Sequence, residues 1–339
     1  MKRFCIKFIA LFIAIDGFLL FYILAVYPQL SGDMGFTGQI PFGRTYIDSL
    51  QTLYDKPEEV RVSTLKKGEK INRPVVCFGD SFSRFRKYGY LQVVGEMLDA
   101  DIQDINYDLS PEQTFVQYVH NGLIPPRTMV ILESVERSYV ERLLKLRLDD
   151  NTFPMNERVQ YVIAENVNPE PPRATLGSAI NYLRKRLHIK QPIHCYPTSA
   201  DLFTHRSIHN RLYIYDSPGK WDNEGDLRFV DKAGVNYEPV NQQLYALHQL
   251  AEDYQLTLVY VVAADKYDVY EPFIVPEHPR NPSLDALPEE NWIVNTKPLL
   301  QSRVYQGVKD VYYINDTHWS PVGAQIAGEE IANRLAEFR

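Results

Sequence analysis

Three short apolar runs most limit what this 339-residue chain can fold into. Val75-Val76-Cys77-Phe78, Val130-Ile131-Leu132 and Leu258-Val259-Tyr260-Val261-Val262 carry apolar side chains at both alternating positions. A strand that is apolar on both faces needs cover on both, which is the situation of a central strand in a parallel sheet. Helical segments separate the runs. Arg86–Leu98 places Tyr90, Val93, Val94 and Met97 on one face, Pro111–His120 opens with Ser110 as N-cap and Pro111 in its first turn, and Glu136–Leu148 and Val240–Tyr254 follow. Ile102–Tyr107 and Val311–Ile314 read as further strands, and a final helix starts at the Ser320 cap and Pro321. Alternation of this kind implies an α/β domain with a mainly parallel sheet.

Two polar blocks punctuate the strand ends. Gly79-Asp80-Ser81-Phe82-Ser83 follows the first run, and Asp316-Thr317-His318-Trp319 precedes the last helix. A serine hydroxyl is a weak nucleophile at neutral pH and needs a base within hydrogen-bond reach, with a third group to orient that base. Ser81, His318 and Asp316 supply these three groups. In an extended loop, side chains at i and i+2 point the same way, so the Asp316 carboxylate is expected on Nδ1 of His318, leaving Nε2 for Ser81. A strand-to-helix turn also offers backbone N–H groups, that of Ser81 included, to a developing oxyanion. A metal site built on Asp316 and His318 needs a third and fourth ligand. No His, Cys or Asp cluster of suitable spacing lies nearby in the chain, so neither a metal nor an organic cofactor is expected.

Gly79-Asp80-Ser81 resembles the first block of the SGNH (GDSL) hydrolase superfamily, and Asp316/His318 resembles its last. The closer likeness is to polysaccharide O-acetyltransferases of the alginate type (AlgJ/AlgX-like), which write the pair as D-x-H-W. Two further segments are similar to that group: Val130–Arg137, a strand ending in an acidic turn, and Val261–Tyr270, a strand followed by a lysine and a tyrosine. The chain departs from the alginate enzymes in motif order, since its serine block comes first. Asn106–Ser110 and Glu133–Arg137 occupy the places of the superfamily's oxyanion blocks. The resemblance implies an SGNH-like three-layer α/β/α sandwich. It also implies transfer of an acetyl group to or from a carbohydrate hydroxyl through acyl-Ser81, with a carbohydrate polymer as acceptor; a carbohydrate acetylesterase of the same fold and a non-catalytic glycan-binding or scaffold protein of the envelope are the alternative readings. A multi-span membrane acyltransferase would deliver the acetyl donor. Asn106, Glu133, Arg137, Lys266 and Trp319 are candidates for the oxyanion hole or substrate contacts; surface ion pairing for Glu133 and Arg137, and a core role for Trp319, are the competing readings.

At the N-terminus, Lys2-Arg3 precedes an apolar stretch from Phe8 to Tyr27. Twenty helical positions span about 30 Å, the thickness of a bilayer core. Asp16 costs about 2.5–3.5 kcal/mol there, and thirteen Ile, Leu, Phe and Val residues return about 0.3–0.6 each, so insertion wins. With Lys2, Arg3 and Lys7 on the near side, the positive-inside rule puts the N-terminus in the cytoplasm. One transmembrane helix in the inner membrane is therefore expected to carry a periplasmic or extracellular domain.

The expected organisation is an anchor over 1–27, a membrane-proximal stalk over 28–72 and a catalytic domain over 73–339. Residues 149–236 break the βα rhythm and read as an insertion beside the site, with a helix at Ala174–Leu187. A net charge of −7 without a basic stripe argues against nucleic acid. Three cysteines (Cys5 near the membrane, Cys77 in a core strand, Cys195 in a loop) do not make a disulfide framework.

Overall fold

The computed structural model describes residues 2–21, 60–65, 68–84, 88–106, 110–151, 193–205, 208–215, 235–277 and 282–338. Its centre is a six-stranded sheet: β1 (Val62–Thr64), β2 (Val75–Gly79), β3 (Ile102–Asn106), β4 (Met129–Val135), β7 (Thr257–Ala263) and β8 (Ile293–Asn295). The order is β1-β3-β2-β4-β7-β8, and every pairing is parallel. β2 and β4 are buried along their whole length, as apolar runs on both faces require. Phe78 shows how the core closes, with its ring edge-on to Phe115 and Tyr118 at 5.7 and 5.2 Å.

The helices are α1 (Lys2–Phe21), α2 (Tyr90–Leu98), α3 (Pro111–His120), α4 (Glu136–Leu144), α5 (Glu238–Asp253), α6 (Lys266–Tyr270), α7 (Thr296–Tyr305) and α8 (Pro321–Glu337). From β2 the chain crosses to β3 on one side, then returns past β2 to β4 on the other. Right-handed crossovers in opposite directions put their helices on opposite faces of the sheet. Accordingly α2 packs on α8 and α8 on α7, while α3 and α4 pack on α5. The protein is thus an α/β fold with a parallel sheet between helix layers.

Ser110 caps α3 and accepts a hydrogen bond from the Gln113 N–H, and Ser320 caps α8 through the Val322 N–H, both as expected. Other expectations need correction. The sheet begins before residue 73, because β1 pairs with β3 and Ile71 is buried, so part of the stretch read as stalk belongs to the domain. Val311–Ile314 is not a strand. Only Tyr312 makes a β-bridge, antiparallel to Trp319, and the parallel edge strand after β7 is instead β8. Cys195 lies in a strand: β5 (Ile193–Pro197) and β6 (Arg211–Tyr215) form an antiparallel pair within the insertion. The helix expected at 174–187 lies outside the described residues. Among those residues no helix is long and apolar enough to cross a membrane; the expected span from 8 to 27 runs past the end of α1, and residues 22–27 lie outside them.

Candidate active site

A doubly wound sheet opens a crevice at the carboxyl end of the strand where the crossovers diverge. Here that strand is β2, which ends at Gly79. The next residues turn at once into a single 3₁₀ turn, Ser81–Arg84. From Asp80 to Ser83, Asp80, Phe82 and Ser83 are buried and Ser81 is partly exposed. As the first residue of the turn, Ser81 also carries one of the N–H groups that have no acceptor within the turn. The turn is tight enough to need glycine before it. A Cβ on Gly79 would lie 2.7 Å from Ser83 Oγ and 2.9 Å from Glu133 Oε2.

The turn that carries Ser81 rests on buried charge. The Asp80 carboxylate accepts from the Val135 N–H at 2.9 Å, the Arg142 guanidinium at 3.0 Å and the Phe82 N–H at 3.3 Å. Its own N–H donates to Glu133 Oε2 at 3.0 Å. Burial alone would raise the Asp80 pKa; Arg142, with the hydrogen bonds, outweighs it and holds the pKa below the ordinary value. Glu133 goes the other way, raised well above the usual range by burial and then by the charge of Asp80. The opposite shifts favour the negative charge of the pair on Asp80 rather than on Glu133. With its carboxylate committed to Arg142 and the turn, Asp80 is a structural acid rather than a base for Ser81.

The candidate base, His318, lies in the loop before α8. The Tyr312–Trp319 bridge closes it, with the Tyr313 N–H donating to the His318 carbonyl at 3.3 Å and the Ser320 N–H to the Val311 carbonyl at 3.0 Å. Asp316 Oδ1 lies 2.5 Å from Nδ1 of His318 and also accepts the His318 main-chain N–H at 3.0 Å. The expected carboxylate–imidazole contact is made, but by a turn in which the aspartate folds onto the backbone two residues on, not by an extended segment. Donation from Nδ1 leaves Nε2 as the basic nitrogen of the neutral ring. The Phe82 ring sits 4.9 Å from the His318 ring and 4.7 Å from Trp319. The residue after Ser81 therefore packs directly on His318, and two segments far apart in the chain meet at the corner beyond β2.

The remaining candidates take other places. Asn106 ends β3 in register with Gly79, beside the turn that carries Ser81. Glu133 is fully buried beneath that turn. Arg137 is buried in an ion pair with Asp265, so it is neither a surface residue nor aimed at an oxyanion. Trp319 is only 4 % exposed and donates from Nε1 to the Tyr312 hydroxyl at 3.0 Å, so it anchors the loop and cannot stack on a sugar. Lys266 is fully buried, with Nζ on the carbonyls of Tyr313, Ile314 and Asp316.

Sequence reading missed Arg142 and the cluster around Asp265. Arg142 reaches Asp80 across 62 positions, a pairing no local pattern announces. Among the described residues, Glu136, Asp265 and Asp268 bring their carboxyl oxygens within 4.8 Å of one another. Protein cations already face this cluster, Arg137 on Asp265 and Lys297 3.8 Å from Asp268. Burial raises Asp265 to about 7 against the pull of Arg137, and burial with the charges of Asp268 and Asp265 pushes Glu136 well up. Of the insertion, Leu202 and Phe203 are buried, and the Leu202 carbonyl accepts the Asp310 N–H at 2.9 Å, so this part supports the base loop from behind.

The arrangement orients the His318 imidazole by Asp316 and packs it on Phe82, the residue that follows Ser81 at the end of β2. Comparison with family models, curated proteins and solved structures finds no match to this chain.

Proposed function

We propose that the chain is a serine acyltransferase of SGNH-like type. It is anchored by its N-terminal segment in the inner membrane and acetylates a carbohydrate polymer of the envelope outside the cytoplasm. The observation that carries the reading is the Asp316–His318 pair packed on Phe82, next to the partly exposed Ser81 at the switch point of the sheet.

In this mechanism Ser81 Oγ attacks the donor's ester carbonyl while Nε2 of His318 takes its proton. The imidazolium is stabilised by the Asp316 carboxylate, 2.5 Å from Nδ1. Collapse of the tetrahedral species breaks the ester bond, and the departing alkoxide takes the proton from His318. A sugar hydroxyl, deprotonated by the same Nε2, then attacks acyl-Ser81. The new ester leaves, and Ser81 recovers the proton. The Ser81 N–H contributes to the oxyanion hole. A multi-span membrane protein would hand the acetyl group across the bilayer.

Purified full-length chain in mild detergent, incubated with an aryl acetate with and without oligosaccharide acceptors, tests the reading. Aryl release that depends on Ser81 and His318, with acetyl appearing on sugar, supports the transferase. Serine-dependent release that yields acetate alone makes it an acetylesterase. A folded protein with no release and no acyl-Ser81 adduct overturns the enzymatic reading.

A further inference from the structure

We infer that Lys266 is a positioning residue for the proposed reaction. Its ammonium sets the backbone of the loop that carries Asp316 and His318, and so the geometry of the base. The inference rests on the reading of Ser81, Asp316 and His318 as a catalytic set.

An ammonium has three N–H donors. Lys266 Nζ lies 2.7 Å from the Tyr313 carbonyl, 2.9 Å from that of Ile314 and 3.3 Å from that of Asp316. These three carbonyls come from one short loop and turn inward to a common point. Among the described residues the loop's β pairing is the Tyr312–Trp319 bridge that closes it, and inward carbonyls outside such pairing need a donor. A charged donor makes shorter, stronger hydrogen bonds than a neutral one. Asp316 is thus held at both ends, its carbonyl by Lys266 and its carboxylate by the N–H and Nδ1 of His318. A shift of the Asp316 backbone would carry the carboxylate off the imidazole.

The location of the lysine matters as much as its contacts. Lys266 is the first residue of α6, directly after Asp265, which is locked to Arg137 of α4. The Asp265 N–H donates to Glu136 at 2.9 Å, and Glu136 opens α4 after β4. The same helix supplies Arg142 to Asp80 in the nucleophile turn. Buried polar contacts, joined through the α4 backbone and the Asp265–Lys266 peptide bond, therefore tie the turn bearing Ser81 to the loop bearing His318, and Lys266 is the last member of the series. Phe203 closes the far side, its ring centroid 5.7 Å from Nζ. Burying an ammonium is expensive relative to an apolar side chain of similar length, so a residue needed only to fill this space would be a leucine or methionine.

The test is Lys266→Met in the full chain, read by a signal that does not depend on turnover. The Nδ1 proton of His318, hydrogen-bonded to Asp316, gives a downfield proton resonance assigned by its loss in His318→Asn. The expected result is a folded Lys266→Met protein in which that resonance is lost or broadened. Its kcat for aryl acetate should fall about 100-fold, the scale for a misplacement of roughly 1 Å, with KM nearly unchanged. A folded variant that keeps the resonance and a kcat within about threefold of wild type, on the same scale, overturns the inference. Lys266→Gln, a shorter neutral donor, is read the same way if the methionine variant does not fold. Failure of both to fold also overturns it, since Lys266 would then be a requirement of the fold. If the wild type shows no Ser81-dependent release, the proposed function falls, while the resonance still reports what Lys266 does to the base.

Discussion

Replacing Arg142 with methionine removes the counter-charge from a carboxylate that is almost wholly buried. The Arg142 and Asp80 side chains are 14 % and 7 % exposed and 3.0 Å apart. At that distance an effective dielectric of 20 gives an attraction of about 5 kcal/mol, and deleting one partner of a buried pair costs about 3–5 kcal/mol. Asp80 keeps the Val135 and Phe82 N–H groups, but Ser134 Oγ also loses its 2.8 Å contact with the guanidinium. A loss of about 3–4 kcal/mol is therefore expected at pH 7. A domain stable by 5–15 kcal/mol survives that loss.

The pH dependence gives the sharper check. In the wild type the Asp80 pKa is depressed below its ordinary 3.8. Its contribution to stability is therefore present above that value and is lost as pH falls through the depressed one. Without Arg142 the folded-state pKa rises, so the variant takes up a proton that the wild type refuses. The gap between the two proteins must then narrow on going from pH 7 to about pH 4. Urea unfolding of the full-length proteins at both pH values, followed by tryptophan fluorescence, measures it. A loss below about 1 kcal/mol at pH 7, the range of an exposed pair, would refute the reasoning, as would an equal loss at both pH values.

Asp316→Asn should leave the loop intact but present the wrong imidazole tautomer, lowering kcat by about 10³–10⁴ with stability little changed; stopped-flow acylation by an aryl acetate reads it. Gly79→Ala forces a Cβ to within 2.7 Å of Ser83 and 2.9 Å of Glu133, so about 1–3 kcal/mol of stability should go, together with the alignment of the Ser81 turn. Glu136→Gln replaces an acid whose pKa is raised well above 4.5 by a neutral isostere, so its cost at pH 7 should stay under about 1 kcal/mol. Because the folded-state pKa of Glu136 is raised above its ordinary 4.5, wild-type stability falls as pH rises from that value toward the raised one. The variant should gain on it there, which a urea series from pH 4.5 to 8 shows.

What the chain revealed on its own were features written in local chemistry. Continuous apolar runs marked β2, β4 and β7, because both faces of a central parallel strand are buried. Ser110 and Ser320 announced helix starts, because an N-cap works within one turn of its own position. Asp316 and His318 stand two residues apart, so their contact was legible even though the turn that makes it was not. Tertiary structure decided what depended on distance along the chain. Nothing local says that Arg142 neutralises Asp80, that Arg137 turns inward to Asp265 instead of outward to solvent, or that Lys266 closes on the Tyr313–Asp316 carbonyls. Those choices belong to the parallel crossovers, which gather the ends of β2, β4 and β7 at one edge and leave their charges with only one another as solvent.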